Sequence, residues 1–132
     1  MGANATIIKG LYDAFGTGDV AAVLGTFDPQ IQWNEAEGNP YADGNPYVGG
    51  ASVAGGVFQR CVTDVDKFSV TPVNYIDGGD TVAVEGRYRG TAKATGKVLD
   101  AQFVHVWHLR GGKVVRFQQY TDTRQWAAAL GS

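Results

Sequence analysis

Near the end of this chain, Gly111-Gly112 separates two runs rich in Val, Phe, Trp and Tyr, DAQFVHVWHLR and KVVRFQQYTDT. Two glycines between such runs suit a tight hairpin turn whose central residues need positive φ, and so they constrain the fold more than any other stretch. A two-residue turn centred there pairs Leu109 with Val114, Trp107 with Arg116, His105 with Gln118, Phe103 with Tyr120 and Ala101 with Asp122. Residues directly opposite each other share a face of the sheet. Strict alternation then predicts one face carrying Phe103, His105, Trp107, Gln118, Tyr120 and Asp122. Val104, Val106, Val115 and Phe117 fall on the other. An imidazole and a carboxylate among aromatics suit a small-molecule site, and the second apolar face needs its own cover.

The remainder of the chain has room to supply a core. At 132 residues it is expected to form one domain, spanning 1–132, that buries a core without disulfides. A hydrophobic share of 44% and a charged share of 18% are ordinary for a globular protein. The net charge of -2, with no Lys/Arg run, argues against a nucleic-acid partner. The one cysteine, Cys61, excludes an internal disulfide and fits a reducing cytoplasm. The start MGANATIIKGLYDAF has neither the basic nor the apolar region of a signal peptide, and no apolar run reaches membrane-spanning length.

Asn4 is a candidate cap for a helix to about Phe15, with Ile7, Ile8, Leu11, Tyr12 and Phe15 at helical spacing. Asp19 is expected to cap a second short helix, and Ile31-Gln32-Trp33 reads as a strand. Residues 34–50, NEAEGNPYADGNPYVGG, form a long irregular stretch; Tyr41 and Tyr47 suggest a packed lid rather than a linker. A third helix is expected over Ser52–Asp66, where Gly55-Gly56 permits a close approach of backbone or ligand. Strands follow at Phe68–Ile76 and Thr81–Thr91, and Trp126–Leu130 can form a last helical turn. Helices first and an antiparallel meander last make the fold class α+β, with helices packed on one face of a curved sheet.

Several residues are candidates for chemistry. Asp122, desolvated by Phe103 and Tyr120, would have a raised pKa suited to general acid–base work; the competing reading is a strand-end aspartate capping the following turn. His105 either polarises a carbonyl or shuttles a proton, or is a core histidine satisfied by Gln118. Trp33 can stack on a planar ligand and Glu35 is a candidate second carboxylate, against a core Trp and a solvated loop residue. Tyr12, Tyr47, Phe58, Tyr88 and Trp107 are candidate pocket walls. Two histidines on opposite faces and one helical cysteine do not make a metal site. No phosphate-binding glycine loop or nucleophile elbow is present, so no metal and no cofactor are expected.

The order of helix, helix, FDPQIQW, a Gly/Pro/Tyr loop ending YVGG, helix, and strands carrying DGGDTVAVEGRYRG and HVWHLRGGKVVRFQQYTDT resembles one known group. It is the SnoaL-like, ketosteroid-isomerase-related branch of the nuclear-transport-factor-2-like superfamily. The resemblance spans nearly the whole chain and rests most on Thr95-Gly96-Lys97, His105-Val106-Trp107 through Gly112-Lys113-Val114, and Tyr120-Thr121-Asp122. It implies a cone-shaped α+β fold, three N-terminal helices closing a strongly curved, mainly antiparallel sheet over an apolar cavity. It also implies a homodimer packed through the outer sheet face. In the family's polyketide cyclases an aspartate ending the last strand is the general acid/base, which matches Asp122, and polar residues face it from positions matching His105 and Trp107. Those cyclases carry a histidine where this chain has Trp107, so the position carries over without the cyclase mechanism. The ketosteroid isomerases build an oxyanion hole partly from a tyrosine, and Tyr12 lies in a comparable place.

Together these readings lean towards a cofactor-independent acid/base enzyme, an isomerase or aldol-type cyclase, acting on a small hydrophobic carbonyl compound. Asp122 and His105 would be catalytic. Tyr12, Trp33, Glu35, Tyr47, Phe58, Tyr88, Phe103, Trp107, Gln118 and Tyr120 would line the site, and residues 39–48 would close it. The alternative is a non-catalytic module that binds a small apolar ligand.

Overall fold

In the computed structural model, which describes residues 2–131, the chain opens with α1 (Ala3–Gly16) and α2 (Val20–Gly25). Asp19 caps α2, accepting from the Ala22 amide at 3.1 Å. Asn4 does not cap α1: Gly2 holds that position, and the Asn4 amide donates to the Gly79 carbonyl at 2.9 Å, tying the helix to a strand turn. Then come β1 (Phe27–Asn34), a 3₁₀ turn (Pro40–Gly44) and β2 (Tyr47–Val48). The expected third helix runs as α3 (Gly50–Val53), a π-helical segment (Ala54–Phe58) and α4 (Gln59–Asp64). β3 (Val65–Asp77), β4 (Thr81–Ala92), β5 (Val98–Arg110), β6 (Lys113–Thr121) and α5 (Thr123–Leu130) complete the chain.

The π-helical segment explains the glycine pair. A side chain on Gly56 would collide with the Tyr47 ring, so glycine lets that ring lie against the helix backbone. The Tyr47 hydroxyl donates to the Tyr41 carbonyl at 2.7 Å, and Asn39 caps the 3₁₀ turn at the Tyr41 amide. The 39–48 stretch is therefore packed structure.

The six strands lie in the order β2-β1-β6-β5-β4-β3, antiparallel except for the β1–β6 pair. Register shifts in the β1–β6, β3–β4 and β5–β6 ladders bend the sheet. The helices cover its inner face, where β5 buries Leu99, Ala101, Phe103, His105, Trp107 and Leu109 in strict alternation. Among the described residues no helix is long and apolar enough to cross a membrane.

The hairpin forms at Gly111 and Gly112, both at positive φ, with Leu109 opposite Val114 as expected. The expected register ends there. A bulge between His108 and Leu109 makes Val114 and Val115 together oppose one step of β5, so Arg116 pairs with His108 and Phe117 with Trp107. One inserted residue reverses the parity of the rest of β6. Phe117 and Gln119 turn inward and are buried, whereas Gln118 is part-exposed and Tyr120 points to solvent.

Candidate active site

Parity places His105 directly across from Gln119. The imidazole is sandwiched by Phe103, stacked at 3.9 Å between ring centres, and bridges two phenols. Its Nδ1 lies 2.6 Å from the Tyr12 hydroxyl and its Nε2 lies 2.6 Å from the Tyr88 hydroxyl. Tyr12 arrives from α1, on the apolar stripe that also carries Ile8 and Leu11; Tyr88 arrives from β4. Each phenol oxygen also accepts a fixed N–H. Trp107 Nε1 donates to Tyr12 at 3.0 Å, and Gln119 Nε2 donates to Tyr88 at 2.6 Å.

Burial pushes His105 down to about 3, so the ring is neutral, and burial holds both phenols well above their ordinary range. A neutral imidazole carries a single N–H. It donates to one phenol and accepts the O–H of the other. The phenol that receives the imidazole N–H already receives one from Trp107 or Gln119, so its own proton remains free to donate to a third partner. The chain Trp107–Tyr12–His105–Tyr88–Gln119 thus keeps one phenolic O–H available, and the His105 tautomer selects which.

Glu35 stands beside this chain, just past the end of β1, and is 3% exposed. Trp33 Nε1 donates to its carboxylate at 2.7 Å, and Asn45 clamps its backbone through two hydrogen bonds of 2.9 Å. Desolvation outweighs the hydrogen bonds from Trp33 and Gln119 and raises the carboxyl to about 7. Among the described residues it is the one carboxylate lining the cavity. A group poised near neutrality in an apolar enclosure can take or give a proton.

The cavity leaves about 50 Å³ in which the centre of a water molecule can move. It brings together Tyr12, Trp33, Glu35, Phe58, Tyr88, His105 and Trp107, all expected from the sequence. Phe103 lies behind His105 and Tyr88 rather than on the wall. Tyr47 is buried in the 39–48 stretch, and none of residues 39–48 lines the cavity, so the expected lid closes nothing. Instead Phe15, Phe58, Phe68 and Val70 line both the cavity and an adjoining surface depression, forming the wall towards solvent.

Asp122, Gln118 and Tyr120 are not part of this cavity, because the β6 bulge turns them away. Asp122 lies past the strand and caps α5, accepting from the Gln125 amide at 3.2 Å in an exposed setting. Gln119 and Trp126 were missed. Gln119 occupies the place expected of Gln118, and Trp126 reaches the cavity from α5, where it meets Tyr88 edge-on at 5.3 Å. A strict register had carried its own warning: it set Arg116 beside Trp107 on the buried face and left Phe117 outside.

A family model described as a SnoaL-like domain matches residues 8–117. No curated protein matches the chain. Among solved structures, an NTF2-like protein from Burkholderia thailandensis is 35% identical, covers 98% of each chain and superposes with a TM-score of 0.92. An NTF2-like protein of unknown function from Burkholderia pseudomallei is 27% identical over 100% of each chain, with a TM-score of 0.89. TerC, co-crystallised with polyporic acid, is 25% identical over 99% of this chain and 100% of its own, with a TM-score of 0.86.

Proposed function

The chain belongs to the SnoaL-like family, and from that premise we propose that it is a cofactor-independent acid/base enzyme, an isomerase or aldol-type cyclase, for a small hydrophobic carbonyl compound. The observation that carries this reading is the buried Glu35, held near neutrality beside a phenol–imidazole–phenol chain with one O–H to spare. Glu35, as carboxylate, removes a proton from the carbon next to the carbonyl. The electron pair moves onto the carbonyl oxygen, where the spare phenolic O–H of Tyr12 or Tyr88 donates to the forming enolate. Glu35 then returns the proton at another carbon, or the enolate carbon attacks a second carbonyl to close a ring, the π pair of that carbonyl moving onto its oxygen, which takes the proton back from Glu35. His105 positions both phenols and stays neutral. That TerC has been crystallised with polyporic acid is compatible with a ligand site in this fold.

We also read the outer sheet face as a contact between two copies of the chain. Val73, Ile76 and Tyr120 are well exposed there, with Val104 and Val106 part-exposed beside them. The free, buried Cys61 fits a cytoplasmic setting.

The test is α-proton exchange in heavy water, followed by NMR on small aryl-substituted ketones such as phenylacetone. The protein should accelerate deuterium incorporation, and Glu35→Gln should lower the rate by about 10²-fold or more while keeping the fold. No acceleration by the wild-type protein would leave the binding-module reading in its place.

A further inference from the structure

The residues that line the cavity are buried, with the exception of Phe15, Phe68 and Val70, which are part-exposed. The same three, together with Phe58, line the surface depression beside it. The cavity therefore meets solvent through this apolar wall, and a ligand bound inside has to pass it.

The four wall residues differ in how their backbone is held. Phe15 sits in the last turn of α1. Phe58 ends the π-helical segment, which runs straight into α4, and its ring meets Phe15 and Trp33 edge-on at 5.3 and 5.4 Å. Val70 is paired with Tyr88 in the β3–β4 ladder. Phe68 is not paired. β3 lies at the edge of the sheet, and its pairing passes from Asp66 opposite Thr91 to Ser69 opposite Arg89, so Lys67 and Phe68 together face Gly90. Lys67 is held at φ 53, a conformation that a residue with a β-carbon adopts at a cost. A side chain on Gly90 would collide with Val65 and the Asp66 carbonyl, so glycine lets the bulged backbone lie against β4. The bulge lays the Phe68 ring on the Tyr88 ring, 20° from parallel at 5.5 Å, with Trp126 edge-on at 6.0 Å.

We propose that Phe68 is the gate of the cavity: it swings outward as the bulge at Lys67 and Phe68 straightens, and so sets how fast ligands enter. The two states are balanced by forces local to the bulge. Straightening returns Lys67 to an extended conformation and relieves its strain, while stacking of Phe68 on Tyr88 holds the gate shut. Opening uncovers the Tyr88 end of the phenol–imidazole–phenol chain, and closing shields it from water. The gate does not rest on the acid/base reading, since a binding module needs the same entrance.

The chain's three tryptophans, Trp33, Trp107 and Trp126, all line the cavity and are all buried, so its intrinsic fluorescence reports access to that space. Acrylamide, a small neutral quencher, is the probe, used on the full chain. A gate open ~0.1–10% of the time should hold the wild-type quenching constant at least about tenfold below that of N-acetyltryptophanamide. Phe68→Ala should raise the constant about threefold or more, and the milder Phe68→Leu should raise it less. Val57→Ala trims a buried wall residue away from the depression and should leave the constant near the wild-type value. Lys67→Gly keeps the Phe68 ring and accepts the positive φ without steric cost, so it should favour the closed state and lower the constant about threefold. Wild-type quenching as fast as that of the free indole would overturn the inference. So would a constant that neither Phe68 variant changes, that Val57→Ala raises as much, or that Lys67→Gly fails to lower. The measurement needs no turnover. This pattern without proton exchange removes the acid/base reading and keeps the gate; proton exchange with Phe68 variants that quench like wild type does the opposite.

Discussion

At the scale of single residues, the site sets two buried groups against each other. Glu35 is raised from 4.5 to about 7, so the folded protein binds that proton more tightly than the unfolded chain does. The stabilising contribution of that proton is complete below about pH 4.5 and is lost as the pH rises through 7. His105 is lowered from 6.5 to about 3; its contribution is present above 6.5 and is lost as the pH falls towards 3. Each slope is about 1.4 kcal/mol per pH unit, and between 4.5 and 6.5 they oppose. Urea unfolding of the wild-type protein should therefore give a nearly flat stability across that window. Glu35→Gln removes one slope, and stability should then rise by about 2 kcal/mol from pH 4.5 to 6.5. A flat profile in the variant would show that His105 is not held neutral by burial. Tyr88→Phe tests the other side of the chain, since it strands the Gln119 amide and one imidazole nitrogen. It should cost about 1–3 kcal/mol of stability, despite removing a single oxygen.

At the scale of elements, the β6 bulge decides which residues can act. Val115 is the residue the ladder leaves over, so deleting it would remove the bulge while keeping Arg116 opposite His108 and Phe117, stacked on Trp33 at 3.7 Å, opposite Trp107. That variant should keep a cooperative thermal transition, because the inward face of β6 is preserved; loss of the transition would show that the bend the bulge supplies is needed as well as its parity. Gly56→Ala drives a methyl into the Tyr47 ring and should cost about 1–3 kcal/mol by thermal or urea unfolding, with the helix itself otherwise favouring alanine. The elements were largely legible in the sequence because periodicity and turn glycines are local signals. Gly111-Gly112 gave the hairpin, Asp19 gave the α2 cap, and the apolar stripe through Ile8, Leu11 and Tyr12 gave the buried face of α1. The bulge was not, because no glycine or proline marks Val114-Val115; it follows from which face the whole β6 strand can bury. Gln119 therefore takes the place expected of Gln118, and Asp122 falls outside the cavity. Glu35 is legible as a candidate site residue but its burial is not, because that depends on Asn45, ten residues away, folding back onto its backbone.

At the scale of the whole molecule, the order of elements carried more than any one residue. Three helical stretches before a meander of long strands allow few arrangements, and the curved sheet under its helical cover is the one found. The outer face keeps exposed Val73, Ile76 and Tyr120. Sedimentation velocity at micromolar concentration should give a dimer, and Tyr120→Arg should shift it to monomer without loss of fold. A wild-type monomer would contradict the proposed contact. Cavity and outer face lie on opposite sides of the same strands, so a dissociated variant that still binds ligand would show that the two are independent.

The central claim is that Glu35 is the base. It is tested most directly by the pH dependence of α-proton exchange in three proteins: wild type, Glu35→Gln and Asp122→Asn. The account predicts a wild-type rate that rises with pH through about 7, as the carboxyl ionises, and then levels. Asp122→Asn should reproduce that curve, while Glu35→Gln should lose the rate and the limb together. An unaltered curve in Glu35→Gln, with activity lost in Asp122→Asn, would contradict the account.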